Sequence, residues 1–158
     1  MIDQDYAVFS KIIDTSGWVP QHRERIFIVC FDKRIFGNEH NIDFEFPTSN
    51  ETHTLKEILL DEAPDPKYML SDKLWKYLKE YAKKHKKKGN GFGYGLFDGE
   101  GLARTLSARY YKDGSEILIK QKGFENPRRL TPGEAAKLMG YDESYAAIWN
   151  FNEGFPQV

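Results

Sequence analysis

The sequence has one cysteine in 158 residues, Cys30, so no disulfide can form within the chain. That fits a reducing compartment and excludes a disulfide scaffold. No apolar run approaches the length of a membrane-spanning helix, and Met1 leads into no signal-peptide pattern. The four histidines have no metal-ligand spacing and, with a single cysteine, give no zinc signature. There is no Walker-type phosphate loop, no internal repeat and no low-complexity tract beyond a short lysine run. The net charge of −1 excludes a uniformly basic coat. Cys30, within FIVCF, is expected to be a small buried hydrophobe.

What is present is polarised. Lys76, Lys79, Lys83, Lys84, Lys86, Lys87 and Lys88 cluster, whereas Asp and Glu dominate from Asp43 to Asp65. The stretch KKHKKKGNGFGYGLFDGEGLARTLSARYYKDG (Lys83 to Gly114) runs from a lysine-dense helix end into a glycine-aromatic loop. Glycines let backbone approach a ligand closely. Arginines supply fork-shaped contacts, and lysines supply salt-sensitive attraction to phosphate. This composition suits a nucleic-acid surface; a solvated basic helix beside an ordinary hairpin is the alternative. Gly91-Phe92-Gly93-Tyr94-Gly95 faintly echoes a dinucleotide fingerprint, but it follows a helix rather than a strand, which rules that reading out.

The length fits one domain of ordinary size, or one domain plus a fragment of another. YAVFSKIID (Tyr6 to Asp14) and RIFIVCF (Arg25 to Phe31) read as paired strands joined through TSGWVPQHRE. Residues 33–52 read as irregular. Thr54-Leu-Lys-Glu57 matches a capping box and predicts a short helix through Leu60. Ser71 is the N-cap of a long helix with Leu74, Trp75, Leu78, Tyr81, Ala82 and His85 on one face, ended by Gly89. Ala103–Tyr111 and Glu116–Lys120 read as a hairpin around Asp113-Gly114. Thr131-Pro-Gly-Glu134 is a second capping box, with Pro132 at the first helical position, opening a helix to about Met139.

Several blocks carry a resemblance. PQHRERIFIVCF (Pro20 to Phe31) resembles the paired-arginine block of DNA cytosine-5 methyltransferases, and RRLTPGEAAKLMGYDESY (Arg128 to Tyr145) resembles their late block. Between them, WKYLKEYAKKHKKKGNGFGYG and RTLSARYYKDGSEILI resemble the target-recognition domain of Dcm-like and EcoRII-like enzymes, which act within CCWGG-type sites. The resemblance implies a mixed α/β fold: a hairpin fragment of a Rossmann-like methyltransferase sheet plus a small α+β recognition domain. It implies a division into 1–32 (remnant of the catalytic domain), 33–130 (target recognition) and 131–158 (anchoring helix and truncated tail).

By the same resemblance, Arg25 contacts the flipped cytosine, Gln21 and Arg23 hold its loop, and Thr105 lies by a phosphate. Asn90, Phe92 and Tyr94 fall in a first recognition loop. Ser107, Arg109, Tyr110 and Lys112 lie in or beside a second; Arg104, on the same stretch, is a further DNA-binding candidate, and Lys86, Lys87 and Lys88, as flexible point charges, can contribute only to phosphate. Arg128 and Arg129 serve phosphate or support the domain. The family's nucleophile, in a Pro-Cys-Gln loop, has no counterpart, because Cys30 follows Val29; the cofactor loop is also missing. The implied partner is double-stranded DNA in a bacterial cytoplasm, near the nucleoid, without a membrane. S-adenosylmethionine belongs to the full-length family, with none expected on this chain alone. Methyl transfer by the chain alone is not expected; a split enzyme completed by a catalytic chain, or an inert remnant, are the alternatives.

Overall fold

The computed structural model describes residues 5–61, 65–90, 93–142 and 144–145, with the side chain of Asp113 left aside. Strands β1 (Tyr6–Asp14) and β2 (Glu24–Asp32) form an antiparallel hairpin whose register sets Tyr6 opposite Asp32 and Asp14 opposite Glu24. Alternation gives the hairpin two faces. One carries Phe9 and Phe31, which pack edge-on against Phe44 at 5.4 and 5.5 Å between ring centroids. The segment after β2 therefore folds back as a lid over that face. The other face leaves Ile12, Ile26 and Ile28 each more than 60% exposed, at 66%, 63% and 61%. Such apolar exposure is what a hairpin without its neighbouring strands should show. Cys30 is exposed rather than buried. It shares this uncovered face, opposite Val8, so the apolar run around it does not bury it.

After β2 comes a one-turn helix, α1 (Lys33–Phe36), capped by the Asp32 carboxylate, where the sequence reads as irregular. The Thr54 capping box forms, but it opens only a 3-10 turn, Leu55–Glu57, instead of a helix to Leu60. Leu55 and Ile58 enter the core, and the Leu60 amide donates to the Glu134 carboxylate at 2.9 Å, which draws the chain away from a helical path. Helix α2 (Asp72–Lys87) starts where expected, with the Ser71 hydroxyl accepting from the Leu74 amide. Gly89, at φ +73°, follows its end.

The expected hairpin around Asp113-Gly114 is absent. Strand β3 (Leu96–Phe97) pairs in parallel with β4 (Leu118–Ile119), and Tyr110–Asp113 is a helical turn, α3. A two-residue hairpin turn of the Asp-Gly type needs positive φ at both central positions. Among the described residues only glycines have it, and Gly114 at φ +43° is the left-handed cap of α3 instead. The Tyr110 hydroxyl fixes the turn, donating to the Ile117 carbonyl at 2.6 Å and accepting from the Leu130 amide at 2.7 Å.

Strand β4 separates two apolar clusters by simple alternation. Ile117 and Ile119 join Leu55, Ile58, Ala103 and Leu138, while Leu118 joins Leu70 and Trp75. Helix α4 (Pro132–Leu138) closes the first cluster. Its capping residue Glu134 is fully engaged: the Arg128 guanidinium meets it through two bonds of 2.7 Å, and the amides of Thr131 and Leu60 donate to it. Arg128 is thus a buried structural residue. Among the described residues, no helix is long and apolar enough to cross a membrane.

Candidate nucleic-acid interface

The loop between β1 and β2 docks on residues 103–107, far along the chain. The Ala103 amide donates to the Pro20 carbonyl at 2.8 Å and the His22 amide donates to the Ala103 carbonyl at 3.0 Å, a short parallel bridge around Gln21. Gln21 is buried, and its side chain is a strap. Its amide nitrogen donates to the Leu138 carbonyl at 3.1 Å, and its oxygen accepts from the Leu106 amide at 2.6 Å. One residue thereby ties the hairpin loop to the 103–107 segment and to the end of α4. The Thr105 hydroxyl donates to the His22 carbonyl at 2.7 Å. Arg23 reaches the Leu106 carbonyl at 3.4 Å. Gln21, Arg23 and Thr105 are therefore brought together, as side chains that order one loop.

Asp14 completes the arrangement and has no counterpart among the sequence candidates. Its carboxylate accepts from the Ser16 and Arg23 amides at 3.1 and 2.9 Å and meets the His22 ring at 2.8 Å. Desolvation pushes this carboxyl up, but the His22 bond and the two amides outweigh it and hold it below its ordinary value. An aspartate closing a strand just before Thr-Ser-Gly is the local signal for such a turn. Arg25, one step into β2 opposite Ile13, is exposed, with one terminal nitrogen donating to the Glu24 carbonyl at 2.6 Å.

The remaining candidates divide. Lys86 and Lys87 end α2 and Lys88 caps it; all three are exposed, and their charge suits the negative end of the helix. Asn90 is exposed beside His85, 3.5 Å from its ring. Phe92 lies outside the described residues. Tyr94 is half-buried against Trp75 at 4.7 Å, in an edge-on contact that packs the glycine loop onto α2. Arg104 is exposed. The Ser107 amide donates to Glu116 at 3.2 Å. Arg109 is the N-cap of α3, not a strand residue. The Lys112 ammonium sits 5.3 Å from the centroid of the Tyr111 ring. Tyr110 is a correction: it is 8% exposed, with its hydroxyl spent inside the core, and burial pushes its phenol well above the ordinary range. The hairpin-loop candidates thus gather around Gln21, while the basic candidates sit at the end of α2.

Comparison with known proteins decides the family. Residues 1–156 match the model of the C-5 cytosine-specific DNA methylases. The chain belongs to that family. It is 46% identical over 143 residues to the type II methyltransferase M1.ScrFI of Lactococcus lactis subsp. cremoris, covering 89% of this chain and 36% of that protein. It is 44% identical over 154 residues to the DNA-cytosine methyltransferase of Escherichia coli K12, covering 84% of this chain and 32% of that protein. The chain thus spans less than half the length of these relatives. A methyltransferase of Entamoeba histolytica, EhMeth, superposes with a TM-score of 0.66 at 15% identity, over 98% of this chain and 47% of that one. The mixed α/β chain has the fold of part of a methyltransferase.

The family uses S-adenosylmethionine, a ligand with a charged amino-acid end and a ribose diol. A cavity of about 470 Å³ borders the hairpin, lined by Trp18, Val19, Phe27, Phe44, Phe46 and Met139 among others. Thr15 is its one hydroxyl side chain, and no carboxylate lines it. That lining does not fit the polar ends of the cofactor.

Proposed function

We propose that the chain is the DNA-recognition portion of a bacterial DNA (cytosine-5) methyltransferase of the Dcm/EcoRII-like kind, acting on duplex DNA of CCWGG type. Residues 1–32 are the catalytic-domain hairpin, 33–130 the recognition domain and 131–158 the anchor. The observation that carries this reading is the junction at Gln21. There the paired-arginine loop is fastened to the 103–107 segment and to α4, so that catalytic-side and recognition-side residues present one surface. Duplex bases must leave the stack before ring chemistry is possible. Arg25 meets the flipped cytosine, while Gln21, Arg23 and Thr105 set the loop that aims it. Arg104, Ser107, Arg109 and Lys112 supply one set of DNA contacts, and Asn90, Phe92 and Lys86–Lys88 supply another. Tyr110 and Tyr94 serve by packing.

The 158 residues contain no Pro-Cys-Gln nucleophile loop. The chain alone therefore transfers no methyl group, and activity requires the complementary catalytic half. A radiolabelled methyl-transfer assay tests this: no incorporation by the chain alone, incorporation on adding that half, and a larger loss of turnover than of DNA affinity for Arg25→Ala. Cytosine methylation by the pure chain would overturn the reading.

A further inference from the structure

Arg128 and Arg129 are neighbours, and the Nε of each is buried without a hydrogen-bond partner, but among the described residues only Arg128 has a carboxylate partner. Arg128 gives both terminal nitrogens to Glu134 at 2.7 Å. The Arg129 amide donates to the Tyr68 carbonyl at 2.9 Å, but its Nε is buried without a hydrogen-bond partner. Among the described residues, no carboxylate forms an ion pair with it. The side chain is seated against Gly114, whose backbone is left-handed at φ +43°. A Cβ at that position would stand 2.6 Å from Arg129 Nε and 2.8 Å from its Cδ. The fold thus clears a place for this side chain, and among the described residues it provides no anion there.

Arg129 lines a cavity of about 180 Å³ together with Lys67, Tyr68, Tyr110 and Tyr111. Lys67 stands half-exposed, with its ammonium 3.7 Å from an equally open Asp65. The Tyr110 hydroxyl is already saturated by Ile117 and Leu130. Nearby carboxylates are engaged elsewhere: Glu134 with Arg128, and Glu116 with the Ser107 amide. A partly desolvated cation without a partner is costly. A planar guanidinium matches the oxygens of a phosphate through two parallel bonds.

We propose that this cavity takes a phosphate group, a backbone phosphate of bound duplex DNA, gripped by Arg129 with Lys67 at the rim. The identity of the phosphate as DNA rests on the recognition reading above; the chemistry of the pocket does not.

Two measurements on the 158-residue chain test it: fluorescence anisotropy with CCWGG-type and scrambled duplexes over a salt series, and the Nε–Hε resonance of Arg129 during titration with inorganic phosphate. Arg129→Gln should weaken binding severalfold on both duplexes and flatten the log-log salt slope by about one unit. Arg129→Lys should keep most of the slope. Phosphate should shift the Arg129 resonance where equal chloride does not, and Gly114→Ala, which crowds the side chain, should reduce that shift. If Arg129→Gln fails to fold, Lys67→Gln carries the salt test with a smaller flattening. A phosphate shift with an unchanged DNA slope would overturn the DNA source and leave a small-anion site. No shift and no slope change, with DNA still bound, would overturn the pocket and spare the recognition reading. No DNA binding by the unaltered chain would overturn that reading and the DNA source together, and the phosphate titration would then decide the pocket alone.

Discussion

Replacing Gln21 by alanine removes the strap between three segments. Two backbone groups lose their partners, the buried Leu138 carbonyl and the half-buried Leu106 amide. Each stranded group costs about 1–3 kcal/mol, so the loss should total roughly 2–6 kcal/mol. That is a large share of the stability of a small domain, about 5–15 kcal/mol. With a urea slope of about 2 kcal/mol per molar, the midpoint should fall by roughly 1–3 M. Gln21→Glu sharpens the test. It keeps an acceptor for the Leu106 amide but turns a second acceptor toward the Leu138 carbonyl, so at neutral pH it should be no better than alanine. In acid, as the new carboxyl protonates and can donate, part of the loss should return. Urea titrations followed by tryptophan fluorescence at two pH values read both effects. A loss below about 0.5 kcal/mol for Gln21→Ala would refute the idea that this residue holds the junction.

Two other perturbations have definite signs. Glu134→Gln leaves the buried Arg128 without its counter-charge and should cost about 3–5 kcal/mol, read as a fall in Tm; replacing both residues by apolar ones should cost less. His53 Nδ1 donates to the Glu57 carboxylate at 2.8 Å, and that contact, then the nearby charges of Glu57 and Glu51, outweighs desolvation and raises its pKa above 6.5, while the same bond lowers that of Glu57 below 4.5. The His53 contribution is complete below pH 6.5 and is lost as pH rises through the raised value. The Glu57 contribution is complete above pH 4.5 and is lost as pH falls through the lowered one. Stability from the pair should therefore peak between these limits, and His53→Gln should flatten the urea midpoint between pH 6 and 8.5.

The hairpin strands, the long helix and both capping boxes were legible because each depends on residues within a few positions. Ser71, Thr54 and Thr131 cap as their sequences imply. The extent of the Thr54 helix was not legible, since a tether from Glu134, far along the chain, decides where Leu60 goes. The Asp113-Gly114 hairpin failed for a related reason. Its supposed second strand pairs with Leu96–Phe97 instead, and Tyr110 bonds across to Leu130. The apolar run around Cys30 reads as burial, yet burial needs a neighbour on that face. Of the candidate site, the grouping of Gln21, Arg23 and Thr105 was readable only through family resemblance. Asp14, which shapes the same loop, shows only a local turn signal.

The most direct test of recognition is the affinity of this chain for a CCWGG-type duplex against a scrambled one of equal length, by fluorescence anisotropy across a salt series, with Arg109→Ala and Lys87→Gln alongside. Binding should be stronger on the CCWGG duplex. Arg109→Ala should cost about 1–3 kcal/mol there and little on the scrambled duplex. Lys87→Gln should weaken both alike and, if Lys87 meets a phosphate, flatten the salt slope by about one unit. Equal affinity for the two duplexes with equal losses for Arg109→Ala would contradict sequence reading by this chain, and no binding at low salt would contradict DNA recognition altogether.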